Sequence, residues 1–536
     1  MMVPNQAGET SIMRRRTFLQ SAALAPLAAP AIAQPAKTAT LRFIPQANLT
    51  ALDPIWTTAT VTNNHGYYIY DTLYAAGADM RPRPQMAGGH EVSADGRTWR
   101  IRLREGLSFH NGTPVLARDC VASLQRWGKR DSMGQILSAV VETWGAPDDR
   151  TIELRLTRPF PLMLDALGKP DSSVPFMMPE RLARTDASKA ITEVVGSGPY
   201  RFLPDEYVSG ARAAYAKFDA YVPRTDKPEW AAGAKIAYFP RVEWNVIPDP
   251  ATAAAAMQRG EADWWERPFN DLLPMLLKEP RLTSMIADPA GRMSVMRLNC
   301  LLPPFDNVKV RQAVRTAVSQ DDYMRAAVGD ETLWRTCRSL FPCGLSYDAS
   351  AAGAALMPGD LDAARRLLAA SGYTGQTAVI INPTDFPLIG PLGQVSAALM
   401  KSIGMSVELR ESDWGTVVQR RVSKEPVEKG GWSAFHTTGS ASGWSNPAVA
   451  ETVRGLGPKG WFGWWDSPEQ EARVQDWLAA PDEVSQIRIA RAIAEAALTD
   501  VATIPLGQFF IRTVYAKSLT GMLQGPCPYP WNIRPA

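Results

Sequence analysis

The clearest two-residue period in the chain runs through Trp99, Ile101 and Leu103, which alternate with Arg100, Arg102 and Arg104. Alternation of this kind puts the apolar side chains on one face of a strand and the arginines on the other. Asp95-Gly96 supplies a tight turn before it, so residues 91–109 read as a hairpin. Thr151 to Leu156 alternates in the same way. Thr40 to Phe43, Tyr200 to Leu203, Thr377 to Ile381, Met405 to Leu409 and Ile504 to Phe510 are further β-rich runs, and 234–246 is a strand region broken at Pro240. Helical spacing takes over elsewhere. Val310, Val314, Ala317 and Val318 share one face over 306–320. Asp249-Pro250 opens a helix that Gly260 closes, and Asp360 caps one that ends at Gly372. Residues 119–127, 391–403, 468–478 and 482–500 are also predicted helices, as is the aromatic run from Tyr67 to Tyr74. Strands alternating with helices give an α/β chain, and 536 residues are too many for one core, so two or three domains are expected.

The first 33 residues carry a different signal. Arg15-Arg16-Thr17-Phe18-Leu19-Gln20 fits the twin-arginine export pattern, an Ala- and Leu-rich stretch follows, and Ala31-Ile32-Ala33 offers a small-x-small cleavage site. Pro26 and Pro30 interrupt the stretch well short of the ~20 residues that a membrane span needs. No cysteine precedes Cys120, so the cut leaves no lipid-anchor residue. The expectation is a periplasmic protein that does not span the membrane after cleavage.

Charge narrows the partners. The formal net charge is +3 and falls to +1 once Glu9, Arg14, Arg15 and Arg16 are removed. A near-neutral chain has no basic footprint for nucleic acid and no polybasic stretch for anionic lipid. The five cysteines are Cys120, Cys300, Cys337, Cys343 and Cys527. Cys337 and Cys343 lie close in an irregular stretch, and an oxidising compartment permits a disulfide there; two buried thiols is the other reading.

Catalytic patterns are missing. The four histidines, His65, His90, His110 and His436, show no metal-ligand spacing. Gly439-Ser440-Ala441-Ser442-Gly443 has alanine where a nucleophile elbow needs serine. Gly455 to Gly460 spells GxGxxG, but it follows no clear strand, and Pro458 removes an N–H that a phosphate cradle would use. No cofactor and no metal is expected. Aromatic residues are the remaining clue. Six of the 17 tryptophans crowd between residues 414 and 465. Most pack in a core. The run from Trp432 to Pro447 also reads as a loop of hydroxyl donors between two indoles, suited to lining a ligand cleft. The candidate binding residues are Trp414, Trp432, His436, Thr437, Ser440, Ser442, Trp444 and Asn446, with Asn63 and Tyr67 from the first part of the chain.

Several segments together resemble the extracellular solute-binding proteins of family 5, the dipeptide, oligopeptide and nickel group. They are Val92-Ser93-Ala94-Asp95-Gly96-Arg97-Thr98-Trp99, Leu103 to Pro114 with Ala117-Arg118-Asp119, Gly196-Ser197-Gly198-Pro199-Tyr200, Gly260-Glu261-Ala262-Asp263, Asn299 with Pro303 to Asp306 and Val310 to Ala313, and Asp362 to Leu368 with Gly372-Tyr373. The resemblance implies a two-lobed periplasmic-binding-protein type II (Venus-flytrap) fold with an additional inserted domain. Domain I is expected from 36–77, 195–298 and 502–536, the inserted domain II from 78–194, and domain III from 299–501, after a signal peptide over 1–33. It implies a monomeric, non-enzymatic receptor that closes on a small molecule or short peptide and delivers it to ABC-transporter permease subunits. The alternative function is a secreted hydrolase or cofactor-bearing enzyme exported by the twin-arginine route. One departure matters: dipeptide-binding members have an Asp before a Pro that pairs with the ligand's ammonium, and the similar place here holds Asn446-Pro447. Asn accepts a hydrogen bond but supplies no charge. Peptides, modified amino acids and opine-like solutes all stay open.

Overall fold

The alternating run around Trp99 forms the strand Thr98–Leu103, buried at Trp99, Ile101 and Leu103 and exposed at Arg100 and Arg102. It pairs antiparallel with Ala87–Val92 and with Thr151–Leu156, and the latter pairs with Val141–Gly145 to complete a four-stranded sheet. The computed structural model describes residues 40–171, 173–384 and 386–536; the twin-arginine and cleavage motifs lie outside the described residues. Helix Ala117–Trp127 lies beside this sheet, and its Arg126 makes a bidentate, fully buried ion pair with Asp53. The backbone N–H groups of Ile55 and Ile191 donate to the same carboxylate. A buried charge that is paired and hydrogen-bonded on all sides fixes the segment before residue 60 against this region.

A seven-stranded mixed sheet is built around Thr40–Ile44, which runs parallel to Arg241–Asn245 and Trp264–Trp265. The strand expected over 234–246 is confined to Arg241–Asn245. Pro240 has no N–H for the ladder, and Lys235, ahead of it, is wholly buried in an ion pair with Asp71. The helix expected over Tyr67–Tyr74 is instead Thr60–Ile69, followed by the short strands Asp71–Thr72 and Tyr74–Ala76. The N–H of Tyr70 closes the last turn onto the Gly66 carbonyl, and Tyr70 itself is extended. The turn at 196–200 packs on this helix end. Gly198 N–H donates to the Ile69 carbonyl (2.7 Å), and a Cβ on Gly196 would fall 2.1 Å from the same oxygen.

The third sheet has six strands in the order Trp334–Arg335, Thr503–Phe509, Arg292–Leu298, Ala434–Ser440, Ala378–Pro383, Val407–Ser412. Two of them, Arg292–Leu298 and Thr503–Phe509, were expected in domain I; they pair with each other and sit in the interior of this sheet. Arg292–Leu298 matches Ala434–Ser440 residue for residue over its whole length. The chain therefore passes between the seven- and six-stranded sheets at 287–291 and 510–511, and these crossings touch: Ala287 N–H donates to the Ile511 carbonyl (2.8 Å).

Helices of the second half include Val308–Ala317, Leu361–Ala369, Gly390–Ser402, Pro468–Leu478 and Glu483–Asp500. Asp249, Asp360 and Asp482 each cap a helix with a carboxylate that accepts from the backbone, and Gly260 ends its helix at φ 72°. Cys337 and Cys343 are joined by a disulfide (S–S 2.07 Å), and Cys120, Cys300 and Cys527 are free thiols. Gly457–Lys459 is a single 3₁₀ turn, so the GxGxxG string lies in a loop. Among the described residues no helix is long and apolar enough to cross a membrane.

Candidate functional site

The run from Trp432 to Pro447 is not a loop throughout: Ala434–Ser440 is a strand, and the 3₁₀ turn Ser442–Trp444 follows. It pairs on both edges, antiparallel along its whole length with Arg292–Leu298 and parallel at Ala434 and Phe435 with Ala378–Pro383. The predicted site residues fall in different surroundings. His436 points to the Gly390–Ser402 helix, where its Nε2 meets the Ser396 hydroxyl at 2.6 Å. It is wholly buried, and burial lowers its pKa to about 3. Trp432 is also wholly buried, in a separate cluster with Phe435 and Trp464, and its indole N–H donates to the Arg421 carbonyl. Trp414 packs edge-on against Phe386. His436 and Trp432 are interior residues, and Trp414, half-buried on the helix Trp414–Arg420, packs against the same cluster as Trp432; none of the three lines the cavities that follow.

Thr437, Ser440 and Trp444 face a cavity of about 740 Å³, counting its open mouth. The opposite wall comes from the first part of the chain: Thr58, Thr60, Ser132, Lys169 and Asp171. A smaller cavity of about 420 Å³ adjoins it through Lys169 and is lined by Ser442, Asn446 and Asp165. The Asn446 side-chain Oδ1 accepts the Ala448 N–H (3.0 Å), so that oxygen is engaged by its own turn. Burial raises the Asp165 carboxyl to about 6. Asn63 and Tyr67 line neither space. They sit on the Thr60–Ile69 helix, Asn63 against the Cys527 sulfur and Tyr67 donating to the Pro170 carbonyl (2.7 Å). Tyr67 thereby holds the segment that carries Lys169 and Asp171.

The two walls are tied across the gap. Ser440 donates its hydroxyl to the Asp171 carboxylate, and the same oxygen accepts from Gly443 N–H (3.0 Å). Gly439 lets the Trp444 indole fold flat against the strand: a Cβ there would fall 2.5 Å from the ring. Lys169, buried, pairs with Asp131, whose other oxygen caps the helix Ser132–Ser138.

Arg292 and Glu451, two residues that sequence reasoning missed, complete the charged lining. Nothing in the sequence marks either out. Arg292 also borders a third space of about 550 Å³ with Glu266, Arg267 and Asp288. Burial pulls the Arg292 guanidinium down to about 10, Arg267 works in the same direction, and Asp171, Asp288 and Glu266 oppose it. Burial raises Asp288 to about 6 and raises Glu266 and Glu451. No group of three or more His, Cys, Asp or Glu among the described residues is placed to hold a metal ion. The chemistry available is a cavity with flat indole walls, neutral hydroxyls and a few buried charges, suited to gripping an organic solute.

Known proteins resemble this chain in sequence and in fold. A family model for bacterial extracellular solute-binding proteins, family 5 (middle region), matches residues 81–461. The chain is 37% identical over 493 residues to a probable peptide ABC transporter periplasmic-binding protein of Sinorhizobium fredii, covering 91% of this chain and 92% of that one. It is 25% identical over 488 residues to the glutathione-binding protein GsiB of Pectobacterium atrosepticum, covering 89% and 90%. Among solved structures, AgaA of A. tumefaciens in complex with agropinic acid superimposes with a TM-score of 0.75 at 20% identity, covering 93% of this chain and 99% of that one. A dipeptide-binding protein of Pseudoalteromonas in complex with Met-Leu gives 0.75 at 18% identity, covering 93% and 100%. The sheets, the cleft between them and the extent of these matches agree: the chain belongs to the bacterial extracellular solute-binding proteins of family 5 and has their two-lobed type II periplasmic-binding-protein fold.

Proposed function

We propose that this chain is the periplasmic substrate-binding component of an ABC importer, which takes a peptide or similar small solute between its lobes and delivers it unchanged to the membrane permease. The observation that carries the reading is the cavity walled by Thr437, Ser440 and Trp444 on one side and by Thr58, Ser132 and Asp171 on the other, with the Ser440–Asp171 hydrogen bond across it. A cleft closed by direct contact between its walls is suited to a receptor whose bound and empty forms differ in lobe separation. The names of the relatives point the same way: a peptide-binding component and a glutathione-binding protein. In this reading the seven-stranded sheet is the core of domain I, the four-stranded sheet that of the inserted domain, and the six-stranded sheet that of domain III. The protein is a monomer that leaves the cytoplasm by the twin-arginine route and performs no chemistry on its cargo.

The test is native mass spectrometry of protein purified from the periplasm. A co-purified small solute, recovered with unchanged mass after prolonged incubation, is expected. Absence of any bound solute, with no thermal shift across peptides and amino-acid derivatives, overturns the reading, as does conversion of the solute to product. Affinity capture of the closed form from membranes should retrieve a permease.

A further inference from the structure

We infer that Gly439 is a specificity-determining position: it seats the Trp444 indole against the strand and thereby sets how bulky a peptide the cleft can take. The inference rests on the receptor reading above and names what limits the size of its cargo.

Glycine in the interior of a strand weakens it, and often marks a place where another group approaches closely. Gly439 lies near the end of the strand Ala434–Ser440 and pairs with Met293. Its backbone is outside the left-handed region that favours glycine, so the strand geometry by itself admits alanine there. The Trp444 ring is what forbids it. A Cβ on residue 439 would fall 2.5 Å from Cε2, 2.6 Å from Cζ2 and 2.8 Å from Cδ2 of the indole.

A tight turn returns Trp444 onto this glycine. The Ser440 hydroxyl oxygen accepts the Gly443 N–H (3.0 Å), and the Trp444 backbone N–H donates to the Ala441 carbonyl (3.3 Å). The Glu451 carboxylate accepts a hydrogen bond from the Trp444 side chain. An indole pinned by its ring on one side and by its N–H on another is a fixed wall of the 740 Å³ cavity, which Gly439 and Val449 also line. The strand is held by its pairing with Arg292–Leu298, whereas the ring turns on two single bonds. A methyl group at 439 therefore lifts the indole off the strand and into the cavity. The room is lost beside an apolar wall, so the penalty falls on the bulk of the cargo and not on its charge.

The experiment uses the full mature chain, freed of co-purified solute, titrated calorimetrically with Gly-Gly, Ala-Ala, Leu-Leu and Phe-Phe. Gly439→Ala should weaken Leu-Leu and Phe-Phe by at least about tenfold more than Gly-Gly. The penalty should vanish where the ring is absent: Gly439→Ala combined with Trp444→Leu should bind the four peptides as Trp444→Leu alone does. Fluorine NMR of protein labelled with 5-fluorotryptophan reads the seat without ligand. The Trp444 resonance, identified by its loss in Trp444→Leu, should move more than any other in Gly439→Ala. An unmoved Trp444 resonance, a loss equal across the four peptides, or a loss that persists in the Trp444→Leu background each overturns the inference. A wild-type protein that carries a solute but binds none of the four overturns the inference and leaves the receptor reading intact. One that neither carries a solute nor binds any of the four overturns both.

Discussion

Ser440 donates its hydroxyl to the carboxylate of Asp171, and this bond joins a strand of the six-stranded sheet to the segment that follows the Met163–Leu167 helix. The two residues lie 269 positions apart in the chain. Gly443 N–H donates to the same serine oxygen, so the hydroxyl proton is directed outward, at Asp171.

Ser440→Ala should therefore loosen the closed form. A hydrogen bond to an ionised acceptor contributes about 1.5–3 kcal/mol, which corresponds to roughly a tenfold or greater rise in Kd if the bond forms only on closure. Calorimetric titration with the solute recovered from wild-type protein measures it. Asp171→Asn, which keeps an acceptor, should have the smaller effect; equal affinity for Ser440→Ala and wild type would show that the bond does not report closure.

Trp432 and Trp444 bracket one segment but belong to different places. Trp432→Ala removes a wholly buried indole from the cluster with Phe435 and Trp464, and should cost about 3–5 kcal/mol of stability. Trp444→Ala opens one wall of the cavity and should weaken binding more than it lowers the melting temperature. Denaturant melts and titrations of both variants separate the two effects. A Trp432→Ala protein that melts normally yet binds poorly would reverse the assignment.

Much of the fold was legible because one face of an element was wet. The Trp99 run alternates because its arginines reach water, and the Asp360 and Asp482 caps announce themselves because a carboxylate at a helix start has one use. Ala434–Ser440 hid for the opposite reason. Phe435 packs on Trp432 and Trp461 while His436 packs on Ser396, so both faces are covered and no alternation remains. Arg292 and Glu451 were illegible for another reason: among 57 basic and 54 acidic residues, only the folded arrangement shows which ones line the cavity. The run around Tyr67 failed by offset, since its aromatic residues continue past the helix end at Ile69 into strands.

Stability should fall with acid, and buried histidines set the window: His110, lowered by burial to about 4, acts with the two deepest. His65 and His436 are wholly buried, each with one ring nitrogen lacking a partner, and burial lowers both to about 3 from an ordinary 6.5. Between those values the unfolded chain binds protons that the native state refuses. Their contribution is thus complete above pH 6.5 and is lost as pH falls toward 3. Each adds up to about 1.4 kcal/mol per pH unit to the slope in that window. His436→Gln, followed by chemical denaturation from pH 7 to 4, should give a shallower decline than wild type; an unchanged slope would exclude His436 from the effect.

The Cys337–Cys343 bridge closes a short loop, with a sequence separation of 6. Loop-closure entropy for so short a loop amounts to about 2 kcal/mol. Cys337→Ser should lower the denaturation midpoint accordingly. Reductant should do the same to wild type and nothing further to the variant. A variant still sensitive to reductant would point to a different pairing among the cysteines.

The twin crossings at 287–291 and 510–511, fastened to each other by Ala287 N–H on the Ile511 carbonyl, have a mechanical corollary. Two short straps lying side by side permit a body to swing about the line they define, but they resist sliding and twisting. Adding a single residue to one strap would throw the pair out of step by about 3.3 Å, enough to shift Arg292 and its register partner Ser440 against Asp171 while leaving every sheet intact.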